Sequence, residues 1–269
     1  MLDVDGHAVP AASVNGRWHR AGNGAETLVD LIRGGAVHST SFGEELPGDA
    51  PLRAPLIPGK IVAIGLNYKD HAREAGMEIP ERPLVFGKFP SSVIGPEDEI
   101  VVDPALAGRV DWECELAVVI GRRARDVAAE HALDFIAGYT VANDVSARDV
   151  QFADGQWVRA KSFDTFSPIG PSLVTADEVG DPQRLGLRTR VNGETVQDSN
   201  TDQMVFSIRE LIEFCSRSFT LQPGDLLLTG TPWGVGEFMN PRRSLAPGDV
   251  VECEVDGIGV LRNRVVART

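Results

Sequence analysis

Two glutamates on one predicted strand have a spacing that could do chemistry. Glu113 and Glu115 flank Cys114 at the beginning of an apolar run that ends at Gly121, and such a run is typical of a strand buried on both faces. Alternate residues of a strand point to the same face, about 6.5–7 Å apart at Cα. Two neighbouring carboxylates repel each other unless a cation or a shared proton lies between them. Taken alone, however, a Glu-x-Glu pair more often marks the solvated start of a strand.

A third carboxylate, Asp144, follows a second predicted strand that ends at Asn143. Irregular backbone at the end of a strand can direct a side chain into a cleft. Three hard oxygen ligands without paired histidines suit Mg²⁺, Mn²⁺ or Ca²⁺ better than Zn²⁺. We therefore predict a divalent-metal site at Glu113, Glu115 and Asp144, with positions open to water and a bidentate ligand.

A histidine and a glutamate share one face of a short predicted helix. Asn67 can cap a helix that covers residues 68–75, with Gly76 ending it. His71 and Glu74 lie three residues apart on that helix and are therefore neighbours. The plain interpretation is a surface histidine beside a glutamate. The functional one is a general base with its orienting carboxylate, placed to activate water.

Two further segments offer cationic and amide side chains. If the chain after Asp144 is helical, Asp144, Arg148 and Gln151 share one face of that helix. Arg148 then either forms an ordinary i,i+4 ion pair with Asp144 or faces a carboxylate substrate. Residues 159–171 are dense in loop-forming and polar residues, which favours a loop that lines a site. Lys161 is the candidate charge of that loop.

Clustered prolines divide the chain into two predicted domains. Residues 1–46 contain short alternating segments and one candidate helix at residues 26–33, without residues spaced for chemistry. Four prolines between residues 47 and 58 predict a stiff, extended linker. We therefore predict a small N-terminal domain with its linker at residues 1–55 and a catalytic domain at residues 56–269. The histidines without spaced partners, interpreted as structural or solvated, are His7, His19, His38 and His131.

Patterns in the catalytic part predict strands with few and mostly short helices. Asn192 and Gly193 between two alternating segments predict a hairpin with a type I′ turn. Ser207 and Glu210 form a capping box for one helix, and a further helix is predicted at residues 129–137. Because hairpins dominate over regular βαβ alternation, we predict an α+β fold with a large mixed sheet rather than a doubly wound fold.

The composition excludes some classes of partner. The formal net charge is −13, so nucleic acid and anionic membranes are not expected to bind, and an acidic substrate needs a local cation. The three scattered cysteines, Cys114, Cys215 and Cys253, favour free thiols in a reducing compartment. We find no signal-peptide pattern and no apolar run near the roughly 18 residues of a membrane span. The expected location is the cytoplasm.

Six ordered segments between residue 58 and the C-terminus form a specific signature. They are Gly65-Leu66-Asn67-Tyr68 with His71, Asp111-Trp112-Glu113-Cys114-Glu115-Leu116, Asn143-Asp144-Val145-Ser146-Ala147-Arg148-Asp149, Lys161-Ser162-Phe163-Asp164-Thr165-Phe166, Asn192-Gly193-Glu194 and Thr229-Gly230-Thr231-Pro232. Together they resemble the fumarylacetoacetate hydrolase family. The resemblance implies a mixed β-sandwich roll with short helices, a divalent metal that is usually Mg²⁺, and a homodimer. It also implies that Glu113, Glu115 and Asp144 are the metal ligands.

The resemblance also narrows the activity. In fumarylacetoacetase itself a further aspartate lies seven residues before the catalytic histidine, and this position is Ile64 here. We therefore expect three protein ligands and a substrate other than fumarylacetoacetate. The chain is more similar to the acylpyruvase, oxaloacetate decarboxylase and hydroxyheptadienedioate isomerase branch, which often carries a small N-terminal extension.

Roles for the site residues follow from the resemblance. The metal would chelate the carboxylate and keto oxygen of a small 2-oxo acid and stabilise its enolate. His71 would be the general base, with Glu74 orienting it, and Lys161 would be the third catalytic residue. Residues 68–83 could form a lid that becomes ordered on binding. The side chains that would hold the substrate are Arg148, Gln151 and Thr231.

We therefore predict an acylpyruvase-type hydrolase that cleaves a C–C bond through a metal-stabilised enolate. Two alternatives use the same site. Decarboxylation of oxaloacetate would need only the metal and the enolate, whereas isomerisation of a hydroxyheptadienedioate would use His71 on carbon. A non-enzymatic metal-dependent binding protein and a purely structural cation are more remote alternatives.

Overall fold

Strands dominate the computed structural model, which describes residues 1–22, 27–35, 37 and 41–268. The strands are β1 (Leu2–Val4), β2 (His7–Val9), β3 (Ala11–Val14), β4 (Arg17–Ala21), β5 (Phe42–Glu45), β6 (Ile61–Gly65), β7 (Leu84–Lys88), β8 (Val93–Ile94), β9 (Glu99–Val102), β10 (Val110–Asp111), β11 (Cys114–Ile120), β12 (Ile136–Asn143), β13 (Ser146–Ala147), β14 (Ser167–Thr175), β15 (Gly186–Val191), β16 (Glu194–Asn200), β17 (Leu226–Leu228), β18 (Val250–Val255) and β19 (Gly259–Ala267). The α-helices are α1 (Leu28–Arg33), α2 (Lys69–Glu74), α3 (Arg148–Asp154), α4 (Trp157–Lys161) and α5 (Ile208–Ser218). Short 3₁₀ helices cover Pro90–Ser92, Ala129–Phe135, Thr201–Gln203 and Gly236–Phe238.

The larger sheet has seven strands in the order β7-β6-β17-β11-β12-β14-β8. Every residue of β11 and β12 is buried, because neighbouring layers cover both faces of these central strands. This double burial explains the unbroken apolar run of β11. The two strands pair in antiparallel orientation with Cys114 opposite Asn143. The strand predicted to begin near Cys114 is therefore confirmed.

A second sheet, in the order β16-β15-β18-β19-β9, packs on one face of the first. Leu116 and Val118 of β11 share one buried apolar cluster with Leu187 of β15 and Val251 of β18. Both sheets contribute alternate residues to this core, as expected for a sandwich. The predicted α+β fold, a mixed β-sandwich roll with short helices, is confirmed.

The opposite face of β11 packs against the N-terminal part of the chain. Ala117 and Val119 lie in a separate apolar cluster with Ile32 of α1 and with Leu56. Helix α1 begins at Leu28 after a capping box, so part of the predicted helix is present, while Glu26 and also His38 lie outside the described residues. The N-terminal part thus closes the back of the sheet that carries the site.

The proline-rich segment is not a free linker. The backbone N–H of Asp3 donates to the carbonyl of Pro51, and that of Arg53 donates to the carbonyl of Met1. These hydrogen bonds attach the segment to β1, so it is anchored to the N-terminal part of the chain. The boundary between residues 55 and 56 stays a prediction.

Turn and cap signals of the catalytic part are mostly confirmed. Asn192 and Gly193 have φ values of 53° and 82°, as a type I′ turn requires, and the capping box of α5 is present. The helix predicted at residues 129–137 is wrong at its end, because Ile136 already pairs with Ile120 in the sheet. None of the described helices is long and apolar enough to cross a membrane.

Asn67 does not cap α2 as predicted. Tyr68 is the N-cap residue, and no side chain closes this helix end. The Asn67 amide instead donates to the carbonyl of Thr229, 2.8 Å away, and its oxygen accepts the N–H of Phe206. Asn67 therefore joins β6 to the loop after β17, an interaction between distant parts of the chain that local spacing does not reveal.

Candidate active site

Three buried carboxylates converge where β11 and β12 pair. Glu113 directly precedes β11, Glu115 is its second residue, and Asp144 directly follows β12. Because Cys114 is opposite Asn143, the three side chains meet from adjacent strands. One oxygen atom of each lies within 4.8 Å of the others. The structure thus brings the three predicted metal ligands together, and the interpretation as a solvated strand end is wrong.

Three buried cations surround two of these carboxylates. Nζ of Lys161 lies 2.8 Å from an oxygen of Glu113 and 2.8 Å from an oxygen of Asp144. Nη1 of Arg148 lies 2.7 Å from the other oxygen of Glu113, and Nζ of Lys88 contacts the other oxygen of Asp144. These cations hold the two carboxylates in fixed orientations.

The surroundings shift the pKa values of Glu113 and Glu115 in opposite directions. Burial raises the pKa of Glu115 well above its ordinary value of 4.5, and repulsion from Asp144 and Glu113 raises it further. Burial also opposes ionisation of Glu113, but Lys161 and Arg148 outweigh it and hold the pKa of Glu113 at about 2. Glu115 is therefore the carboxyl group that gains most from an added cation.

The donor set fits a divalent cation. In the described part of the chain, the side chain of Glu115 has one recorded hydrogen bond, from the backbone N–H of Gly230 at 2.7 Å, and no ion pair. A cation shared with Glu113 and Asp144 would relieve the repulsion between them. Three carboxylates from two strands are also the oxygen-only ligands that Mg²⁺, Mn²⁺ and Ca²⁺ prefer.

The charge count of the cluster explains how an acidic protein could collect an anion. Its members are four acids and three bases: Asp111, Glu113, Glu115, Asp144, Lys88, Arg148 and Lys161. With all acids ionised, four negative and three positive charges leave one negative charge. A divalent ion would turn this into one positive charge. The site would then attract a carboxylate despite the net charge of the chain.

Arg148 has partners other than the predicted one. It is the first residue of α3, and its Nε lies 2.9 Å from Oδ2 of Asp111. Asp111 also accepts the backbone N–H of Gly236 at 2.7 Å, so this carboxylate is fixed in place and orients the guanidinium. The predicted ion pair between Asp144 and Arg148 is wrong, because Asp144 precedes the helix and faces Lys88 and Lys161 instead.

Lys161 is the last residue of α4 rather than part of a loop. The predicted loop at residues 159–171 is wrong at both ends, because residues 159–161 are helical and β14 begins at Ser167. The end of α4 directs the ammonium group of Lys161 into the carboxylate cluster, and the same group lies 5.2 Å from the centre of the Phe86 ring. Lys161 is fully enclosed by charged and aromatic neighbours.

His71 and Glu74 form the predicted pair on α2. Nδ1 of His71 lies 3.3 Å from Oε2 of Glu74, whose other oxygen accepts the backbone N–H of Gly234 at 2.9 Å. The histidine ring also packs against Phe238, with centroids 5.8 Å apart. Glu74 is thereby held in place, and the second ring nitrogen of His71, Nε2, is the one left to act on a ligand. The plain surface-histidine interpretation is wrong, because His71 is buried.

One cavity of about 160 Å³ is lined by the predicted substrate-binding residues together with other residues of the site. Its lining includes His71, Glu113, Arg148, Lys161, Gln151 and Thr231. The amide oxygen of Gln151 accepts from Arg148 at 3.1 Å, which leaves the amide NH₂ group to donate. The hydroxyl of Thr231 donates to the carbonyl of Cys114 at 2.9 Å and accepts from Gln197. Thr231 therefore positions the start of β11 in addition to lining the cavity.

Sequence reasoning missed Lys88 and Asp111 as members of the site. Lys88 ends β7, and besides Asp144 it contacts the carbonyl of Phe166 at 2.7 Å. Lysines are almost never fully buried unless paired, so a lysine at a strand end gives no local signal of burial. Asp111 stood inside a signature segment, but only the structure reveals the donors that converge on it.

Removing the Lys88 charge is expected to weaken metal binding. Lys88→Met keeps an unbranched side chain that is one atom shorter but leaves Asp144 with one lysine partner, so its carboxylate loses a fixed orientation. We expect the Mg²⁺ dissociation constant to rise by about 10–100-fold, measured by isothermal titration calorimetry. Lys60→Met is the matched control, because Lys60 pairs with Asp225 away from the cavity. Equal effects of the two substitutions would contradict a positioning role for Lys88.

Residues 60–266 match the family model described as fumarylacetoacetate (FAA) hydrolase C-terminal. The chain belongs to the fumarylacetoacetate hydrolase family. It is 50% identical over 210 residues to the mitochondrial oxaloacetate tautomerase Fahd2a of Rattus norvegicus, a match that covers 78% of this chain and 67% of that protein.

Solved structures of the fumarylacetoacetate hydrolase family share the whole fold. A fumarylacetoacetate hydrolase from Exiguobacterium antarcticum has a TM-score of 0.88 and 35% identity, covering 99% of this chain and 98% of its own. A 2-hydroxyhepta-2,4-diene-1,7-dioate isomerase from Mycobacterium marinum has a TM-score of 0.78 and 38% identity, covering 97% and 98%. The predicted family is confirmed, and the chain is an enzyme of that family.

Proposed function

We propose that this enzyme catalyses the keto–enol interconversion of a small 2-oxo acid, with oxaloacetate as the first candidate. The observation that carries the proposal is one cavity lined by His71 and by three members of the charged cluster, Glu113, Arg148 and Lys161. The name of the rat relative, an oxaloacetate tautomerase, supports this reaction. It is preferred here to the C–C hydrolysis expected from the sequence.

Glu113, Glu115 and Asp144 would hold the divalent ion, for which we propose Mg²⁺, with Mn²⁺ or Ca²⁺ as substitutes. When bound, the ion supplies Lewis-acid stabilisation of the negative charge that develops on the 2-oxo oxygen. Lys161 and Arg148 supply fixed positive charge beside the same point, so an anionic carboxylate can enter the buried site. The NH₂ group of Gln151 donates a hydrogen bond to the substrate.

His71 moves the proton in this proposal. In the keto-to-enol direction, Nε2 of His71 takes a proton from C3, the C3–H electron pair forms the C2–C3 double bond, and the C2=O π pair moves onto the oxygen. The oxygen then takes a proton from water, and His71 returns the proton it took to water. The reverse direction returns the proton to C3. Glu74 accepts from Nδ1, fixes the ring orientation and stabilises the imidazolium that forms.

Hydrolysis of a C–C bond in an acylpyruvate is the second candidate. The observation that favours it is the pairing of Glu74 with both Gly234 and His71, because a base held so firmly could equally activate water. Decarboxylation is less well supported, since enolate stabilisation alone would suffice and the His71–Glu74 pair would have no role.

The proposal has a direct test. Purified protein with Mg²⁺ should accelerate the decay of the oxaloacetate enol absorbance, and chelation should abolish the effect. Parallel assays follow pyruvate release from oxaloacetate and from acetylpyruvate. If pyruvate is released from acetylpyruvate but not from oxaloacetate, the reaction is hydrolysis of a C–C bond rather than tautomerisation. Oxalate is a mimic of the enolate. If it binds but neither compound is turned over, a metal-dependent binding protein is favoured. If the metal raises the melting temperature but oxalate does not bind, a structural cation is favoured.

Assembly and location remain proposals. We propose a homodimer because the family resemblance implies one, and sedimentation velocity would test it. A cytoplasmic location rests on three free, buried cysteines, whereas the rat relative is named mitochondrial. The division into residues 1–55 and 56–269 can be tested by limited proteolysis near the proline-rich segment.

A further inference from the structure

The outer half of the catalytic cavity is lined by apolar side chains. We define the apolar rim as Met77, Leu84, Phe86, Phe152, Trp157 and Phe238. Four of these side chains are exposed although they are large and apolar: Met77 at 56%, Leu84 at 46%, Phe152 at 59% and Phe238 at 37%. Single exposed apolar residues are common, but a contiguous group around the mouth of a cavity marks a binding surface.

The cations in the cavity wall are already committed to protein carboxylates. Arg148 pairs with Asp111 and Glu113, and Lys161 bridges two of the proposed metal ligands. Just outside the rim, the guanidinium of Arg109 lies 5.6 Å from the Phe152 ring centre but is bonded to both oxygens of Glu237. A second carboxylate on a substrate would therefore meet the rim without a free cation among the described lining residues.

The size of the cavity places the substrate tail against the rim. Its volume is about 160 Å³, and cavities of roughly 150 Å³ enclose a molecule the size of benzene. A pyruvoyl head, C1 to C3 with three oxygens, has as many non-hydrogen atoms as benzene and thus takes up most of this volume. Atoms beyond C4 must then lie between the rim side chains. Phe86 lies at the boundary between the polar and apolar parts of the cavity, because its ring is also near the ammonium group of Lys161.

We infer that, among 2-oxo acids that extend beyond C4, the site selects those with an apolar group there over those with a second carboxylate there. This inference rests on the proposed function, because it takes the carboxylate cluster as the binding site of the 2-oxo acid head. It distinguishes the chain from its structural relative named for a 1,7-dioate. A carboxylate at C4, as in oxaloacetate, still lies near the polar end of the cavity.

Isosteric substrates provide the test. The enzyme with Mg²⁺ is incubated in D₂O, and loss of the C3 protons is followed by NMR for pyruvate, 2-oxoadipate and 6-methyl-2-oxoheptanoate. The last compound replaces the two distal carboxylate oxygens of 2-oxoadipate by methyl groups. We expect kcat/KM to be about tenfold or more higher for it than for 2-oxoadipate, because the rim favours apolar atoms and desolvates an unpaired charge.

A matched pair of variants locates the effect at the rim. Leu84→Arg adds a cation there and should shift the ratio of kcat/KM values toward 2-oxoadipate by about fivefold or more. Leu106→Arg is the control, because Leu106 is similarly exposed, at 53%, and lies outside the cavity lining. It should leave the ratio unchanged.

The outcomes separate this inference from the proposed function. If the C3 protons of pyruvate exchange but the enzyme does not prefer 6-methyl-2-oxoheptanoate to 2-oxoadipate, the inference is overturned and the proposed function stands. Absence of metal-dependent exchange with all three compounds would overturn both. A change of sedimentation coefficient in Leu84→Arg but not in Leu106→Arg would assign the rim to a subunit contact and would also overturn the inference.

Discussion

Replacement of Glu115 by glutamine is expected to lower kcat/KM by at least about a hundredfold and to raise the melting temperature of the metal-free protein. The loss of activity is expected because glutamine would remove one of the three proposed anionic ligands from the ion that would stabilise the enolate. The gain of stability follows because Glu115 is the carboxyl group of the cluster for which burial and repulsion raise the pKa.

The sign of the stability change depends on pH. The folded state holds the Glu115 proton more tightly than the unfolded state, whose carboxyl group has the ordinary pKa of 4.5. Above pH 4.5 the unfolded state releases this proton first, so the free energy of unfolding of the wild type falls as pH rises. Glutamine does not titrate, so the melting-temperature advantage of the variant is expected to be larger at pH 8 than at pH 5.

Calorimetry in chelator at pH 5 and pH 8, together with Mg²⁺ titration, measures both effects. Glu237→Gln is the matched control, because Glu237 is also buried but is paired with Arg109 at 2.9 Å. Its replacement should lower the melting temperature and leave Mg²⁺ affinity nearly unchanged. Unchanged Mg²⁺ affinity in Glu115→Gln would show that Glu115 is not a ligand, and a lower melting temperature would show that its charge is already compensated.

The second large effect is expected from His71→Ala. Loss of the base should lower kcat for enolisation by about 10²–10⁴-fold, while Mg²⁺ affinity changes by less than about threefold because His71 is not a ligand. Stopped-flow decay of the oxaloacetate enol gives the rate, and calorimetry gives the affinity. Glu74→Gln should cost less, since the imidazole remains but loses the carboxylate that orients it.

His131→Ala is the control for this experiment, because its side chain is 66% exposed beside Glu130 and lies outside the cavity. It should retain wild-type turnover. If His71→Ala keeps its turnover of oxaloacetate to pyruvate, the reaction is a decarboxylation that needs no base. Loss of Mg²⁺ affinity in the same variant would instead move His71 into the metal site.

The predictions that succeeded rest on short-range periodicity. Glu113 and Glu115 point to one face because they are two residues apart on a strand, and His71 and Glu74 meet because they are three apart on a helix. Strand alternation and turn residues likewise gave the hairpin at Asn192. These relations depend only on local backbone geometry, so they can be predicted from one sequence without a structure.

The predictions that failed depend on tertiary contacts. Arg148 faces Asp111 rather than Asp144, because the antiparallel pairing of β10 with β13 places Asp111 opposite Ser146, close to the beginning of α3. Lys88 enters the cluster from β7, at the far edge of the sheet order. Asn67 bonds across to Thr229 instead of capping its own helix. In each case the partner is many residues away, and no local spacing encodes it.

The strand that carries two of the proposed metal ligands and the helix that carries the proposed base are expected to differ in how easily they open. The amide groups of β11 are paired with β12 on one side and β17 on the other, so they exchange with solvent only when the whole domain unfolds. Helix α2 has only six residues and is held at its end by the hydrogen bond from Gly234 to Glu74, so we expect it to open at a lower free energy than β11. If an ion binds as proposed, substrate would then enter and product would leave while the ion stays bound, and one ion would serve many turnovers.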